Sequence, residues 1–260
     1  MRFATWNVNS LAVRLPQLLA WLAAQAETSP VDVMVLQETK LSDDNFPHAE
    51  IEAAGYAVHW HGQKTYNGVA LLSRAGAATE VVKGIPGLAD EQARVITGTV
   101  GGIRTIGAYF PNGQAPDSDK FIYKLAWLDA LRAFVQAELA VHPRLVLMGD
   151  FNIAPDDRDV FDPIGWEGQI HCTPQERAQF RALLELGLVD CFRLFEQPPK
   201  SWSWWDYRNL AFRKNQGLRI DIILASAALK PHVQGCAIDK LPRKNERPSD
   251  HAPVVVTLAD

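Results

Sequence analysis

The chain reads Arg144-Leu145-Val146-Leu147-Met148-Gly149-Asp150-Phe151-Asn152 near its middle. A short apolar run that is bounded by turn residues predicts a buried β-strand. Asp150 and Asn152 then lie where this strand passes into a loop. Functional side chains are common at such positions, because the sheet fixes them while the loop admits substrate.

The same alternation of short apolar runs and turn residues recurs along the whole chain. Strands are predicted at Arg2–Val8, Val31–Gln37, Gly68–Ser73, Arg94–Val100, Ile103–Phe110, Arg144–Gly149, Arg219–Ala225 and Pro253–Leu258. Helices are predicted at Leu15–Ala26, Asp117–Ala140 and Pro174–Leu186. No Pro/Gly/Ser-rich linker divides the chain. The pattern therefore predicts a mixed α/β fold in a single domain that covers residues 1–260.

The helix predictions rest on spacing and on a helix-start signal. In the second helix, apolar residues recur at helical intervals and form one face. These residues are Phe121, Leu125, Leu128, Leu131, Val135 and Leu139. The third helix opens with Thr173-Pro174-Gln175-Glu176, which offers an N-cap residue, a proline at the first helical position and a capping-box glutamate. Three long segments without periodicity, Phe151–Cys172, Asp206–Gly217 and Asp239–Asp250, are predicted to be functional or mobile loops.

The composition is that of an ordinary globular protein with an acidic balance. The chain has 260 residues, of which 47% are apolar, a formal net charge of −4 and a pI of about 6.0. A protein with a broad, non-specific grip on nucleic acid is usually basic. The charge balance therefore argues mildly against broad nucleic-acid binding, although an acidic pocket can lower the net charge while basic residues cluster elsewhere.

Cysteine usage and the first residues indicate the compartment. The three cysteines, Cys172, Cys191 and Cys236, form no C-x-x-C pair, so neither a disulfide framework nor a zinc site is predicted. Unpaired thiols fit a reducing cytosol. The sequence shows no signal peptide and no apolar run of the ~20 residues that a membrane span needs. We therefore expect a cytoplasmic protein with no membrane contact.

Polar side chains begin, end or follow several of the predicted strands. They are Asn7, Glu38, Tyr109, Asp150, Asn152, Asp221, Asp250 and His251. Carboxylates suit Mg²⁺ or Mn²⁺ rather than zinc, and such an ion stabilises charge on a phosphoryl oxygen. A histidine beside a carboxylate can activate or position a water, and amides and phenols can hydrogen-bond to phosphate oxygens. Since the chain has no P-loop and no G-x-S-x-G elbow, these residues indicate a metal-dependent phosphoester hydrolase.

Short motifs that contain these residues follow one another in a recognisable order. They are TWNVNS (Thr5–Ser10), LQETK (Leu36–Lys40), GVALLS (Gly68–Ser73), YFPNG (Tyr109–Gly113), GDFNIAP (Gly149–Pro155), GLRID (Gly217–Asp221) and SDHAP (Ser249–Pro253). In order and rough spacing they resemble the exonuclease III family, the bacterial abasic-site endonucleases of the endonuclease/exonuclease/phosphatase superfamily. The resemblance covers essentially the whole chain. It implies a four-layer α/β sandwich, in which two packed mixed β-sheets are flanked by helices and the site lies at one end.

The resemblance also implies roles for individual residues. Glu38 would be the main ligand of Mg²⁺, for which Mn²⁺ could substitute. Further ligands or neighbours of the ion would be Asn7, Asp150, Asn152 and Asp250. Asp150 and Asn152 would also place the attacking water and the phosphate. Asp221 would orient His251, and Tyr109 would contact the scissile phosphate.

The aromatic segment Ser201–Arg208 is implied to border the substrate. Trp204 and Ile220 would line the pocket that receives an extrahelical abasic sugar, since a flat apolar wall selects a sugar without a base. Arg208 would bind the substrate nearby. Of Trp204 and its neighbour Trp205, one is expected to lie in the core.

Several positions depart from the pattern of some relatives. Asn9 stands where some eukaryotic members have aspartate, Leu218 where they have tryptophan, and Pro111–Gln114 lacks the arginine that some insert beside an abasic site. The loop Phe161–Thr173 also differs, and His171 within it could narrow the pocket. These departures leave the chemistry intact, but they leave open how the protein ranks internal abasic sites against 3′ ends.

The function implied by the resemblance is DNA repair. The protein would incise duplex DNA 5′ to abasic sites and remove nucleotides or blocking groups from 3′ ends, acting as a monomer. Cations in the loops that flank Asp221 and Asp250 could bind DNA phosphates or simply form solvated faces. They are Arg208, Arg213, Lys214, Arg219, Arg243, Lys244 and Arg247. Two alternatives stay open: a phosphatase or phosphodiesterase for a small or lipid phosphoester, and an inactive relative that only binds DNA ends.

Overall fold

The computed structural model describes residues 1–259 and contains two six-stranded β-sheets. The strands are β1 Arg2–Asn7, β2 Val33–Gln37, β3 Ala57–His61, β4 Val69–Ser73, β5 Thr79–Lys83, β6 Val95–Val100, β7 Ile103–Tyr109, β8 Leu145–Asp150, β9 Leu188–Asp190, β10 Asp221–Ser226, β11 Val233–Ile238 and β12 Val254–Leu258. The α-helices are α1 Leu11–Ala26, α2 His48–Ala53, α3 Asp119–Val141, α4 Pro174–Glu185 and α5 Ala211–Lys214. Short 3₁₀ helices lie at Asp43–Asn45, Asp157–Asp159, Cys191–Leu194, Arg208–Leu210, Lys230–His232 and Leu241–Lys244.

Both sheets are mixed, with one parallel pair at the centre of each. The strand order is β11-β12-β1-β2-β4-β3 in the first sheet and β5-β6-β7-β8-β10-β9 in the second. The parallel pairs are β1 with β2 and β7 with β8, and the remaining pairs are antiparallel. Neighbouring parallel strands need a long crossover connection. Helix α1 connects β1 to β2, and helix α3 connects β7 to β8. The two strands of each parallel pair therefore end at the same edge of their sheet.

The inner faces of the two sheets pack directly on each other. Their contact is a cluster of buried apolar side chains that includes Phe3 and Val35 from the first sheet and Met148 and Ile223 from the second. The sheets approach each other closely at Gly107 of β7, where an added Cβ would lie 2.4 Å from Cγ1 of Val35. A glycine is therefore required at this point for the sheets to reach their observed separation.

The outer faces of the sheets are covered by helices. Leu18 and Trp21 of α1 pack in a buried cluster with residues of β1, β2 and β4. Leu131 of α3 and Phe180 of α4 pack in a second cluster with residues of β7, β8 and β10. The four-layer α/β sandwich that the resemblance implied is confirmed.

The predicted central elements are confirmed to within a few residues, whereas short and edge elements were not predicted. Helix α1 begins at Leu11 and contains Pro16, so it starts one turn earlier than the predicted Leu15. The strands that were not predicted are β3, β5, β9 and β11. All four are the edge strands of the two sheets. In β3, β5 and β11 few positions are buried, so the apolar pattern is interrupted. In the described residues, no helix is both long and apolar enough to span a membrane.

Candidate active site

The polar residues predicted at strand ends meet at one edge of the sandwich. Asn7 is the last residue of β1, and Glu38 follows β2 directly. In the second sheet, Tyr109 pairs with Asp150 across β7 and β8, and Asp150 pairs with Asp221 across β8 and β10. The strand register therefore places Tyr109, Asp150 and Asp221 in one row across three neighbouring strands.

Asn7 connects the two sheets at this edge. Its Nδ2 donates to Oε1 of Glu38 at 2.8 Å and to Oδ2 of Asp150 at 2.9 Å. Glu38 has φ +52°, in the left-handed region that side chains other than glycine rarely adopt. Strained residues of this kind persist where surrounding contacts hold them, and they cluster at functional sites.

His251 forms a buried pair with Asp221. Its Nδ1 lies 2.8 Å from Oδ2 of Asp221, and its Nε2 lies 3.7 Å from Oδ2 of Asp150. Burial alone would lower the pKa of His251, but the carboxylates of Asp221 and Asp150 outweigh it and raise that pKa to about 10. The ring is therefore oriented by one carboxylate and faces a second.

Asp150 is almost completely buried and is surrounded by polar groups. Burial raises the pKa of Asp150 to about 7, against the opposing effect of His251. Its Oδ1 accepts from the backbone N–H of Asn152 at 2.9 Å, and the Asn152 Nδ2 donates to the Phe110 carbonyl at 3.0 Å. Asn152 also has a positive φ, +49°. The G-D-x-N segment is thus a tight turn that fixes both side chains.

Three ligand atoms converge on a space that a cation could occupy. Glu38, Asp150 and His251 each offer one such atom, and these lie within 4.8 Å of one another. Two of the three are carboxylates, whose oxygens suit a hard divalent cation. The donor set therefore fits a divalent metal ion.

The other predicted ligands are placed differently. The side chain of Asn7 faces both Glu38 and Asp150, and Asn152 lies next to Asp150. The carboxylate of Asp250 instead accepts hydrogen bonds from Nδ2 of Asn9 and Nε1 of Trp204, each at 2.9 Å. Both oxygens of Asp250 are thereby engaged by neutral donors.

Tyr109 borders the same space from β7. Burial, followed by the charges of Glu38 and Asp150, raises the pKa of Tyr109 well above its usual value. The guanidinium of Arg94 lies over the ring at 4.9 Å from its centroid. The phenol therefore stays protonated and can donate a hydrogen bond.

Trp204 and Ile220 belong to one apolar cluster beside the carboxylates. The cluster also contains Leu218, Cys172 and Trp166. Trp205 is fully buried and packs elsewhere, against Phe212, so the expectation that one of the two tryptophans lies in the core is confirmed.

His171 completes this wall of the site. It is buried, and its ring centroid lies 6.5 Å from that of Trp204. Burial lowers the pKa of His171 to about 4, so the ring is neutral at physiological pH. Its Nδ1 lies 2.7 Å from the Asn152 carbonyl.

The predicted cations divide into two groups. Arg208 is exposed and pairs with its neighbour Asp206. Arg219 is buried between Asp159 and Asp190. Arg243 is also buried, over the ring of Phe212 and hydrogen-bonded to the Ser249 carbonyl. The suggestion that Arg219 and Arg243 contact DNA phosphates was wrong, because both guanidinium groups are enclosed by the protein. The predicted cations that are exposed are Arg208, Arg213, Lys214, Lys244 and Arg247.

Two groups in the site were not predicted from the sequence. The ammonium of Lys40 lies 2.9 Å from Oε2 of Glu38 and 2.5 Å from Oδ1 of Asn9. Lys124 is completely buried in α3 and donates to the carbonyl of Asn152. A signal for Lys124 was present, since it lies between Phe121 and Leu128 on the apolar face of the helix.

Comparisons with known proteins agree with this geometry. A family model described as the endonuclease/exonuclease/phosphatase family matches residues 4–251. Exodeoxyribonuclease III of Haemophilus influenzae is 36% identical over 98% of both chains. Among solved structures, the 3′-5′ exonuclease NExo of Neisseria meningitidis superposes with a TM-score of 0.96, at 48% identity over 100% of both chains. A structure titled as the 3′ phosphatase NExo from Neisseria, bound to a product DNA hairpin, gives 0.95 at 46% identity over 100% of both chains. An AP endonuclease from Archaeoglobus fulgidus gives 0.93 at 34% identity over 99% of both chains.

Proposed function

Since the chain belongs to the endonuclease/exonuclease/phosphatase family, we propose that it is a metal-dependent DNA phosphodiesterase of base-excision repair. It incises duplex DNA 5′ to abasic sites and removes nucleotides or blocking groups from 3′ ends. The observation that carries the proposal is the meeting of Glu38, Asp150 and the His251–Asp221 pair at one edge of the two sheets. These are the acid, base and ligand groups that phosphodiester hydrolysis requires.

The chain's own residues would orient and protonate the reacting groups. Asp221 holds the His251 ring, so that Nε2 faces Asp150. Asp150 and Asn152 then present an acceptor and an amide donor to the attacking water and the phosphate. Tyr109 would supply a neutral donor to a non-bridging oxygen of the phosphate. Asn7 would hold the two carboxylates in place, since its amide donates to both Glu38 and Asp150.

Mg²⁺ is the proposed ion, with Mn²⁺ as a substitute. Glu38 and Asp150 would hold it, with Asn7 and Asn152 beside them, while Asp250 would support the site through Asn9 and Trp204. A bound divalent cation would stabilise the charge that develops on the phosphate and on the leaving alkoxide.

The substrate is proposed to be a DNA end or an abasic site in a duplex. Trp204 and Ile220 would line the pocket: they belong to one apolar cluster next to the carboxylates, in which Ile220 is buried and Trp204 is partly exposed. A flat apolar wall of this kind suits a deoxyribose without a base. The two Neisseria structures are titled as a 3′-5′ exonuclease and a 3′ phosphatase, which supports processing of 3′ ends. The exodeoxyribonuclease III and AP endonuclease relatives support both activities.

We propose that residues 1–260 form one catalytic domain that acts as a monomer. The proposal is supported by the topology, since each of the two sheets contains strands from both halves of the chain. Size-exclusion chromatography with light scattering would contradict the monomer if the measured mass were twice the 28.9 kDa of the chain.

The decisive assay uses a duplex with an internal tetrahydrofuran abasic mimic and a second duplex with a blocked 3′ end. We expect incision or 3′ trimming with Mg²⁺ and none with EDTA. Glu38→Gln should abolish both reactions, whereas the exposed Glu52→Gln should retain them. If the wild-type protein hydrolyses a small or lipid phosphoester but leaves both duplexes intact, the DNA assignment is wrong and the phosphatase alternative stands.

A further inference from the structure

Lys124 carries a buried charge at the rear of the proposed site. It lies in α3, and its side chain has no exposed surface. Burying an ammonium is costly unless each of its donors is satisfied. The Lys124 Nζ meets this condition with three acceptors: the carbonyls of Asn112 at 3.1 Å and Asn152 at 2.7 Å, and the carboxylate of Glu176.

The acceptors belong to separate segments that border the site. Asn112 lies in the turn after β7, and Asn152 in the turn after β8. The turn after β7 packs tightly on Lys124, because an added Cβ on Gly113 would lie 3.0 Å from Lys124 Cδ. One side chain therefore ties together the two turns that follow the central parallel strands of the second sheet.

Glu176 extends the connection to the loop before α4. Its Oε1 accepts from the backbone N–H of His171 at 3.1 Å, and its Oε2 accepts from the backbone N–H of Thr173 at 3.1 Å. The ring of His171 in turn lies 2.7 Å from the Asn152 carbonyl. The contacts form a closed ring through Lys124, Asn152, His171 and Glu176.

The position of the Asn152 backbone determines where the side chains of Asp150 and Asn152 lie. Its N–H donates to Oδ1 of Asp150, and its side chain lies against the Phe110 carbonyl. Because its φ is +49°, the local chain does not favour this conformation by itself. A shift of the Asn152 carbonyl would therefore move the groups that face the phosphate.

We propose that Lys124, with Glu176, is a positioning residue for the cleavage step, which fixes the Asn112 and Asn152 turns in their reactive geometry. The inference rests on the proposed nuclease function. Stability does not account for the pair, since replacing a buried ion pair by uncharged side chains of similar volume is commonly neutral or stabilising. Supporting contacts of this kind around a catalytic centre change activity by about 10- to 100-fold when they are removed.

The test compares three variants for melting temperature, KM and single-turnover rate at 25 °C. Lys124→Met removes the donors and leaves the carboxylate of Glu176 buried without its cationic partner, so both stability and rate should fall. In Lys124→Met/Glu176→Gln no buried charge remains, and glutamine is also a capping-box residue. The double variant should regain melting temperature while its rate stays about 10- to 100-fold below wild type, with KM for DNA within about threefold.

Glu176→Gln alone separates geometry from charge. Lys124 keeps its hydrogen bonds to both carbonyls there, because the substitution removes the charge of the carboxylate and no donor of the lysine. We expect this variant to keep a rate within about threefold of wild type, in contrast to Lys124→Met. The two variants remain informative even if the double variant does not fold.

Arg104 and Glu138 provide the matched control. They form an ion pair between the start of β7 and the end of α3, at the opposite ends of the elements that carry Tyr109 and Lys124. Arg104→Met/Glu138→Gln should leave the cleavage rate unchanged. The inference is overturned if Lys124→Met/Glu176→Gln cleaves at the wild-type rate, or if the rate follows melting temperature equally in all variants. If wild-type protein cleaves no DNA, the proposed function fails instead.

Discussion

His251 owes its orientation to a carboxylate that is not itself placed to touch a substrate. Both oxygens of Asp221 lie within 3.0 Å of its Nδ1, and the pair is buried. The ring can therefore present only Nε2 to Asp150. Because this geometry depends on one partner, it gives a direct test of the proposed acid–base chemistry.

Asp221→Asn should lower kcat by about 10²- to 10⁴-fold, the range that general acid–base groups contribute. KM for DNA should change little, since Asp221 contacts His251 and not the substrate surface. The measurement is steady-state incision of the abasic duplex in saturating Mg²⁺. The exposed Asp44→Asn serves as control, and a wild-type kcat in Asp221→Asn would remove His251 from the proposed chemistry.

Lys40 should oppose the binding of metal at Glu38. Its ammonium lies 2.9 Å from Oε2 of Glu38 in a partly exposed pair. Lys40→Met removes about 1 kcal/mol of attraction that competes with the ion, so the Kd for Mn²⁺ should fall roughly fivefold. Calorimetric titration measures this, with Lys83→Met, whose partner is Asp43, as control. Weaker binding in Lys40→Met would show that the lysine supports the ion.

The sequence predicted which residues meet but not how each of them is engaged. Asn7, Glu38 and Asp150 could be located because each ends or follows a buried strand, where functional side chains are common. The packing of the two sheets then brings Asp150 beside the other two. Asp250 was predicted beside the ion, yet its oxygens are engaged by Asn9 and Trp204. Such pairings depend on side-chain directions in loops, for which the sequence carries no periodic signal.

The contact between β2 and β7 leaves no room for an added methyl group. A Cβ on Gly107 would lie 2.4 Å and 2.8 Å from the two methyl carbons of Val35, a stiff β-branched side chain. Gly107→Ala should therefore destabilise the protein by about 1–3 kcal/mol, which is the usual cost of overpacking a core. Thermal unfolding followed by circular dichroism measures the effect.

Gly235 of β11 is the control for this substitution. An added Cβ there meets nothing within 4 Å. Gly235→Ala should leave the melting temperature within about a degree of wild type, since surface substitutions of this kind cost little. Equal destabilisation by both alanines would contradict the assigned packing of the sheets.

Elements with two covered faces were predicted well, and elements at the margins were not. β2 and β8 are buried along their whole length, so their apolar runs are unbroken. β5 is exposed at three of its five positions and has no such run. In α3 the apolar stripe was visible in the sequence. The role of Lys124 within it depends on its ion pair with Glu176, which is remote in sequence.

The environment of the cysteines throughout the molecule predicts inert thiols. Burial raises the pKa of Cys172 to about 11 and that of Cys191 to about 12, and it raises the pKa of Cys236 well above its usual value. Since only the thiolate reacts, and a raised pKa keeps the thiol protonated below that value, all three should be unreactive at pH 8. Native protein should take up less than about 0.1 equivalent of Ellman's reagent.

Unfolding in guanidinium chloride supplies the internal control for the cysteine measurement. All three thiols should then react, because the exposed groups regain an ordinary pKa. Rapid labelling of one cysteine in the native protein would show that its surroundings open. Such a result would also weaken the expectation that the unpaired thiols reflect a reducing compartment.

The pairing of β1 with β12 joins segments from the two ends of the described chain. Glu38 and Asp150 precede Asp221 and His251 in the chain, and about 100 residues separate Asp150 from His251. On the ribosome, a growing polypeptide therefore carries the carboxylates that are proposed to bind metal long before it has the histidine that lies beside them. With the proposed roles, a partly synthesised chain cannot cleave chromosomal DNA. Cleavage becomes possible only after β12 has paired with β1.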